Sequence, residues 1–136
     1  MSDLCERLQD VDEAGVFELN CPVEILFGNV ALSGLQMFDV DLAGRHNKGE
    51  FLAAIAKVIQ APDWFGHNLD ALSDALCDLS WLEPEASGYV LLLQGGGERL
   101  GLSESEYAAV REIFSEAAEY WKSQHKPFWV FLADAV

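Results

Sequence analysis

Three stretches of the chain have the hydrophobic pattern of β-strands. Phe38, Val40 and Leu42 alternate with two aspartates, which is typical of a strand with one buried face. Residues 89–93 and 127–132 are instead apolar throughout, as strands buried on both faces of a parallel sheet tend to be. We therefore predict three strands in this part of the chain, two of them fully buried.

Segments with helical spacing of apolar residues separate these strands. A first helix opens at Asn47, which forms a capping pair with Glu50, and it ends before Pro62. A second helix runs from about residue 68 to residue 79, and a capping box at Ser103 opens a third. Strands that alternate with helices imply right-handed crossovers. The predicted fold class is therefore α/β, with a small parallel three-stranded sheet packed with helices.

The first 36 residues have a less regular pattern. Val16–Leu19 and Val23–Phe27 are short apolar runs separated by three residues that include Pro22. This spacing fits a β-hairpin added at the sheet edge, preceded by a short N-terminal helix. We accordingly treat residues 1–36 as an N-terminal extension and residues 37–136 as the main domain.

Composition supports a packed domain without a disulfide framework. The 136 residues are 51% hydrophobic and 11% aromatic, which suits an ordinary core. Cys5, Cys21 and Cys77 are odd in number and lack motif spacing, as expected of thiols in a reducing compartment. The first residues do not resemble a signal peptide, and the apolar runs are too short to span a membrane. We expect a cytoplasmic protein that is a monomer when free.

Net charge narrows the classes of partner. The chain has 23 acidic and 8 basic residues, for a formal charge of −15. This charge argues against nucleic acid or an anionic membrane as a partner, and it suits a cationic protein drawn in by electrostatic steering. The alternative is that acidity only keeps the protein soluble. Six acids and no lysine or arginine lie within residues 63–85, so the charge is also locally concentrated.

The second predicted helix carries acidic and apolar residues on opposite faces. At about 100° per residue, Asp70, Asp74 and Cys77 fall on one face, with Ser73 at its margin. Aspartates one turn apart repel each other mildly, although the helix dipole favours an anion in the first turn. The face is therefore either solvated or built to meet cations. The opposite face is apolar and consists of Leu69, Leu72, Ala75, Leu76 and Leu79.

Fifteen consecutive residues, 62–76, resemble the signature of the barstar family. They read Pro-Asp-Trp-Phe-Gly-His-Asn-Leu-Asp-Ala-Leu-Ser-Asp-Ala-Leu. In that family a proline, an acid, two aromatics and a glycine precede the Asn-Leu-Asp-Ala-Leu-x-Asp that opens the inhibitory helix. The other predicted elements follow in barstar's order from about Met37 to Leu132. The resemblance implies a barstar-like fold, with residues 1–36 left over.

The resemblance also implies a function and the acids that perform it. Barstar-like proteins inhibit a basic, extracellular-type ribonuclease, or give immunity to a related nuclease toxin, and have no catalytic residues, metal or cofactor. Asp74 matches the central aspartate, whose carboxylate takes the place of a substrate phosphate among the enzyme's cations. Asp70 matches the aspartate one turn earlier, and Glu116 matches an acid on the third helix that adds a peripheral ion pair.

Further contacts are implied around these acids, together with departures from the family pattern. Trp64 stands where the family has an interface tyrosine, and Gly66 and Asn68 match the loop that approaches the enzyme. Ser73 replaces an interface tryptophan, and Cys77 stands where the family has a small polar residue. The acidic residues of the site are thus retained, while some of the aromatic residues around them are replaced.

Two other functions compete with inhibition at the level of sequence. One is a metal-assisted hydrolase that uses His67, Asp70, Asp74 and Glu116, since histidine and carboxylates suit zinc or manganese. The other is an acidic interaction scaffold in which the barstar-like helix is vestigial. Metal analysis tests the first, and solution mass with partner capture tests the second.

Overall fold

Four parallel strands form the centre of the fold. In a computed structural model of the protein they are β1 (Val16–Glu18), β2 (Gln36–Asp41), β3 (Tyr89–Gln94) and β4 (Phe128–Ala133). Their order across the sheet is β1-β4-β3-β2, and all three pairings are parallel. The structure describes residues 8, 10–19, 22–44, 47–61, 68–79, 82, 86–96 and 99–133.

The α/β class and the parallel sheet are confirmed, but the predicted number of strands is wrong. The sheet has four strands rather than three, because Val16–Glu18 pairs with β4 and becomes an edge strand. The expected strands are otherwise present, and the two apolar ones, β3 and β4, lie in the middle of the sheet. Each has five of its six residues buried.

The predicted β-hairpin in the first 36 residues is also wrong. Residues 23–33 form a helix, α1 (Val23–Ser33), which follows the parallel strand β1. A short apolar run does not distinguish a strand from a buried helix by its periodicity alone. The helix ends provide the missing signal. Pro22 occupies the N-cap, and Gly34 closes the helix in the left-handed region with φ of 80°.

The three helices expected between the strands are present. They are α2 (Lys48–Ile59), α3 (Leu69–Leu76) and α4 (Glu104–Ser123). Asn47 caps α2 by accepting a hydrogen bond from the Glu50 backbone N–H at 2.9 Å. Ser103 and Glu106 form the predicted capping box at the start of α4. These side chains accept hydrogen bonds from backbone N–H groups that have no partner within the first turn of the helix.

Helices cover both surfaces of the sheet. On the first, which we call the three-helix face, residues such as Leu91, Leu93 and Val130 pack with α2, α3 and α4 in one core. On the second, which we call the α1 face, Leu92 and Trp129 pack with α1 in a separate core. Further members of this second core are Leu8, Ala14, Leu26, Val30, Leu35, Val90 and Phe131.

The N-terminal residues are therefore a structural layer of the fold. The indole N–H of Trp129 donates a buried hydrogen bond to the Leu8 carbonyl at 2.9 Å, which ties the start of the chain to β4. Leu26 of α1 is fully buried against the same surface. Among the residues described, no helix is both long enough and apolar enough to cross a membrane.

Candidate functional site

The helix that carries the predicted site, α3, is short and strongly two-sided. Asn68 is its N-cap, and the Asn68 side-chain oxygen accepts a hydrogen bond from the Ala71 N–H at 2.8 Å. Leu72, Ala75 and Leu76 are buried in the three-helix core. The helix spans eight residues, shorter than the predicted 68–79, because its last turn closes at Cys77 and Leu79 follows in the left-handed region with φ of 54°.

Asp70 and Asp74 lie on the solvent side of α3, as the helical wheel predicts. Both are exposed, while the leucines on the opposite side are buried. Asp70 sits in the first turn, where the free backbone N–H groups favour an anion. Asp74 follows one turn later, so the two carboxylates form a column on an exposed surface. Such a column can receive several cationic groups at once.

Cys77 links the acids of α3 to those of α4. It caps the C-terminal end of α3, is half-buried, and packs against the three-helix core. Burial raises the pKa of the Cys77 thiol above its ordinary value, and the negative charges of Asp74 and Glu116 raise it further. Asp74 and Glu116 therefore both lie close enough to act on the same thiol. A thiol that stays protonated is a poor nucleophile, so this group does not have the character of a catalytic cysteine.

The structure brings together part of the predicted site. Asn68, Asp70, Asp74 and Cys77 lie on α3 or at its caps, and the exposed Glu116 approaches from α4. Ser73 is half-buried at the margin of the acidic side. The predicted loop contacts, Trp64 and Gly66, lie outside the described residues, as does His67. The roles assigned to all of these side chains stay predictions.

One residue that positions α3 is missing from the predicted site. The indole N–H of Trp121, on α4, donates a buried hydrogen bond of 2.7 Å to the carbonyl of Leu76. The sequence places Trp121 on the apolar side of its helix, and a buried indole N–H usually finds an acceptor. The sequence does not show which carbonyl accepts, because the two residues are 45 positions apart.

The described residues give little support to a metal site. Within the ranges that the structure describes, no group of three or more His, Cys, Asp or Glu side chains is arranged to hold a metal ion. The hypothetical hydrolase site needs His67, whose position falls outside those ranges.

A groove lies on a different part of the surface. It has a volume of about 450 Å³ and is lined by β2 and the segment after it together with α2, and not by α3. Among its described lining residues, the charged ones are Asp39, Asp41 and Lys57. Asp39 accepts a hydrogen bond of 2.6 Å from the side-chain amide of Gln94, which joins β2 to β3 at the sheet edge.

The comparison with known families agrees with the resemblance of residues 62–76. A family model described as Barstar (barnase inhibitor) matches residues 35–133. This span starts one residue before β2 and ends at the last residue of β4, so it includes α3 with its acids and the helix that carries Glu116. It leaves β1 and α1 outside. No curated protein matches the chain.

Proposed function

Because the chain belongs to the barstar family, we propose that it inhibits a barnase-type ribonuclease, or gives immunity to a related nuclease toxin, by covering the basic active site with α3. The observation that carries this proposal is the exposed pair Asp70 and Asp74, set on the side of α3 opposite the core. No bond is made or broken in this activity. The protein acts by occupying the place of the substrate.

The carboxylates suit such a site because a ribonuclease must bind phosphate. An enzyme that cleaves a phosphodiester concentrates cationic side chains around the scissile group, and a carboxylate offers them charge-assisted hydrogen bonds of similar geometry. In the proposed complex Asp74 takes the central position and Asp70 meets cations one turn away. Glu116 adds an ion pair at the periphery. A buried interfacial charge of this kind is commonly a binding hot spot.

Net charge favours the same partner at longer range. A molecule of charge −15 attracts a basic ribonuclease before contact, which raises the association rate and makes it sensitive to salt. The exposed acids of α3 lie at the proposed interface, so local and overall fields act in the same direction. We expect a steep fall in association rate between low and physiological ionic strength.

The neighbours of the acids bear on which ribonuclease fits. In the proposal, the loop with Trp64 and Gly66 contributes an aromatic contact and a close backbone approach. Asn68 holds the start of α3 through its capping bond. Ser73 and Cys77 present small side chains at the margin of the acidic surface. A cognate enzyme with bulkier residues opposite Ser73 would fit this surface better than an enzyme with a pocket shaped for an indole ring.

Substitution of Asp74 tests the proposal. Asp74→Ala removes the central carboxylate, and we expect the dissociation constant for a barnase-type ribonuclease to rise by at least about 30-fold, the equivalent of about 2 kcal/mol. The matched control is Glu24→Ala, which removes one exposed negative charge from α1 on the other side of the sheet. Inhibition of RNA cleavage gives the constants, and circular dichroism checks the fold.

Two outcomes would contradict the proposal. One is an Asp74→Ala protein that inhibits as tightly as the Glu24→Ala control. The other is wild-type protein that inhibits no member of a panel of barnase-type ribonucleases at micromolar concentration.

A further inference from the structure

A tertiary hydrogen bond from α4 holds the C-terminal end of α3. The indole N–H of Trp121 donates to the carbonyl of Leu76 over 2.7 Å, and both residues are buried. Leu76 is the last residue of α3, so its carbonyl belongs to the group that has no partner within the helix. Trp121 supplies that partner from α4. Loss of the donor would leave a buried acceptor unsatisfied, which is the costly way to break a hydrogen bond.

The position of α3 depends on such contacts because the helix is short. Its eight residues make little more than two turns, and isolated helices of that length are marginal in water. At its start, the Asn68 side chain caps the first turn from within the same segment. At its end, the bond from Trp121 joins it to another helix. The bond from Trp121 therefore helps to set the orientation of α3 relative to α4, together with the packing of Leu72 and Ala75 in the shared core.

The Trp121 ring is itself held by its surroundings. The ring centroid lies 5.2 Å from that of Tyr89 on β3, at an interplanar angle of 57°. The Lys126 ammonium lies over the Trp121 ring, 5.8 Å from its centroid. The Lys126 backbone N–H also donates to the Trp121 carbonyl at 2.9 Å. An indole fixed to the central sheet in this way is a firm point of attachment for α3.

We propose that Trp121 is a positioning residue, which fixes α3 against α4 so that Asp74 and Glu116 are presented to a partner in one preset arrangement. Glu116 is on the same helix as Trp121, and Cys77 caps the end of α3 that the indole holds, near enough to Asp74 and Glu116 for both charges to raise its pKa. An interface whose charged groups are ordered before binding loses less conformational freedom on association. This inference rests on the proposed inhibitory function, but the position of α3 can also be measured without a partner.

The test compares two tryptophans that make the same kind of bond on opposite faces of the sheet. Trp121→Phe removes the donor to Leu76 on the three-helix face. Trp129→Phe is the matched control, because the Trp129 indole N–H is also buried and also donates to a carbonyl, that of Leu8 on the α1 face. Both variants are expected to melt at lower temperature than wild type, so a general loss of stability affects both.

Binding to a barnase-type ribonuclease that wild type inhibits should separate the two variants. For Trp121→Phe we expect an increase of about tenfold in the dissociation rate with little change in the association rate, because the charges are retained and affinity differences within one interface lie mostly in dissociation. Trp129→Phe should keep both rates within about twofold of wild type. Equal losses in the two variants would overturn the proposal, as would unchanged dissociation from Trp121→Phe.

A second measurement uses the free protein. In a Cys5→Ser, Cys21→Ser background, the pH dependence of Cys77 alkylation reports the pKa of that thiol. Trp121→Phe should lower this pKa toward its ordinary value, since α3 no longer holds the thiol half-buried and near the charges of Asp74 and Glu116. Trp129→Phe should leave it unchanged. An unchanged pKa in Trp121→Phe would overturn the positioning role.

Two further arms keep the tests independent. If wild type inhibits no ribonuclease, the proposed function fails while the thiol measurement still decides whether Trp121 positions α3. If Trp121→Phe does not fold, benzothienylalanine at residue 121 keeps the size of the ring and removes only the N–H donor. That variant is expected to show the same faster dissociation and the same fall in thiol pKa.

Discussion

The helices that cover the two faces of the sheet differ in charge. The three-helix face carries the exposed acids of α3 and α4 and lies within the family match. The α1 face is covered by residues outside that match, and α1 itself contains a single charged residue, Glu24. Apart from Glu24, the exposed positions of α1 are apolar, with Ile25 52% and Leu32 80% exposed. The exposed side of α3 is thus acidic and that of α1 nearly uncharged, while the acids near the α1 face, Asp10, Asp12 and Glu13, lie in the segment that precedes α1.

The exposed acids of α3 and the buried residues of α1 have different roles, one in the proposed binding and the other in stability. The acids of α3 contribute nothing to the core, and Asp70 and Asp74 weaken the isolated helix slightly because like charges stand one turn apart. The buried residues of α1 have the opposite character, since Leu26 and Val30 fill the second core. Substitutions on the two faces should therefore affect different quantities, binding on one and stability on the other.

Removal of the N-terminal layer should give the largest effect. A chain without residues 1–34 would expose Val90, Leu92, Trp129 and Phe131 on the α1 face. At about 25 cal/mol per Å² and about 150–250 Å² for each aromatic alone, the loss is on the order of 10 kcal/mol, comparable to the whole stability of a domain. We expect a protein that does not unfold cooperatively in urea. A shortened chain with an unchanged unfolding midpoint would show that the family-matched span is stable without the N-terminal layer, and it would contradict the supporting role of that layer.

Two leucines of α1 provide a finer test of the supporting role. Leu26→Ala, at a fully buried position, should lower the free energy of unfolding by about 2–5 kcal/mol. Leu32→Ala makes the same chemical change on the same helix at a position that is 80% exposed, and it should alter stability by no more than about 0.5 kcal/mol. Urea denaturation measures both. The folded fraction of either variant should inhibit the ribonuclease as tightly as wild type. Weaker inhibition by Leu26→Ala alone would mean that the α1 face affects binding as well as stability.

The smallest expected effect is a gain in stability on the acidic face. Asp74→Asn relieves the repulsion with Asp70 and should raise the free energy of unfolding by a few tenths of a kcal/mol, on the order of 0.3. Glu24→Gln, which removes a carboxylate with no such neighbour along its helix, should give no gain. Denaturation of the free proteins at low ionic strength is the measurement. A less stable Asp74→Asn protein would mean that this carboxylate supports the fold and is not kept for binding alone.

Sequence patterns predicted the three-helix face better than the α1 face, for physical reasons. The two central strands, the caps at Asn47 and Ser103 and the two-sided character of α3 follow from local chemistry, and all are confirmed. Residues 23–33 were ambiguous because α1 is apolar on its exposed side as well as on its buried side. A helix of that kind lacks the polar stripe that identifies it.

The remaining part of the site depended on tertiary structure. The bond from Trp121 to Leu76 joins residues far apart in the chain, and no local pattern specifies such a pair. The early end of α3 has a similar origin. Leu79 is buried and stands in the left-handed region, a conformation that the sequence does not suggest for a leucine.

The kinetic pattern of inhibition tests the central claim most directly. If α3 occupies the phosphate-binding cations of a ribonuclease, the inhibitor and an RNA substrate exclude each other. Steady-state cleavage of a short RNA by a barnase-type ribonuclease should then show competitive inhibition, with an apparent inhibition constant that rises in proportion to substrate concentration above KM. An inhibition constant that does not change with substrate concentration would place the bound protein away from the active site and contradict the account.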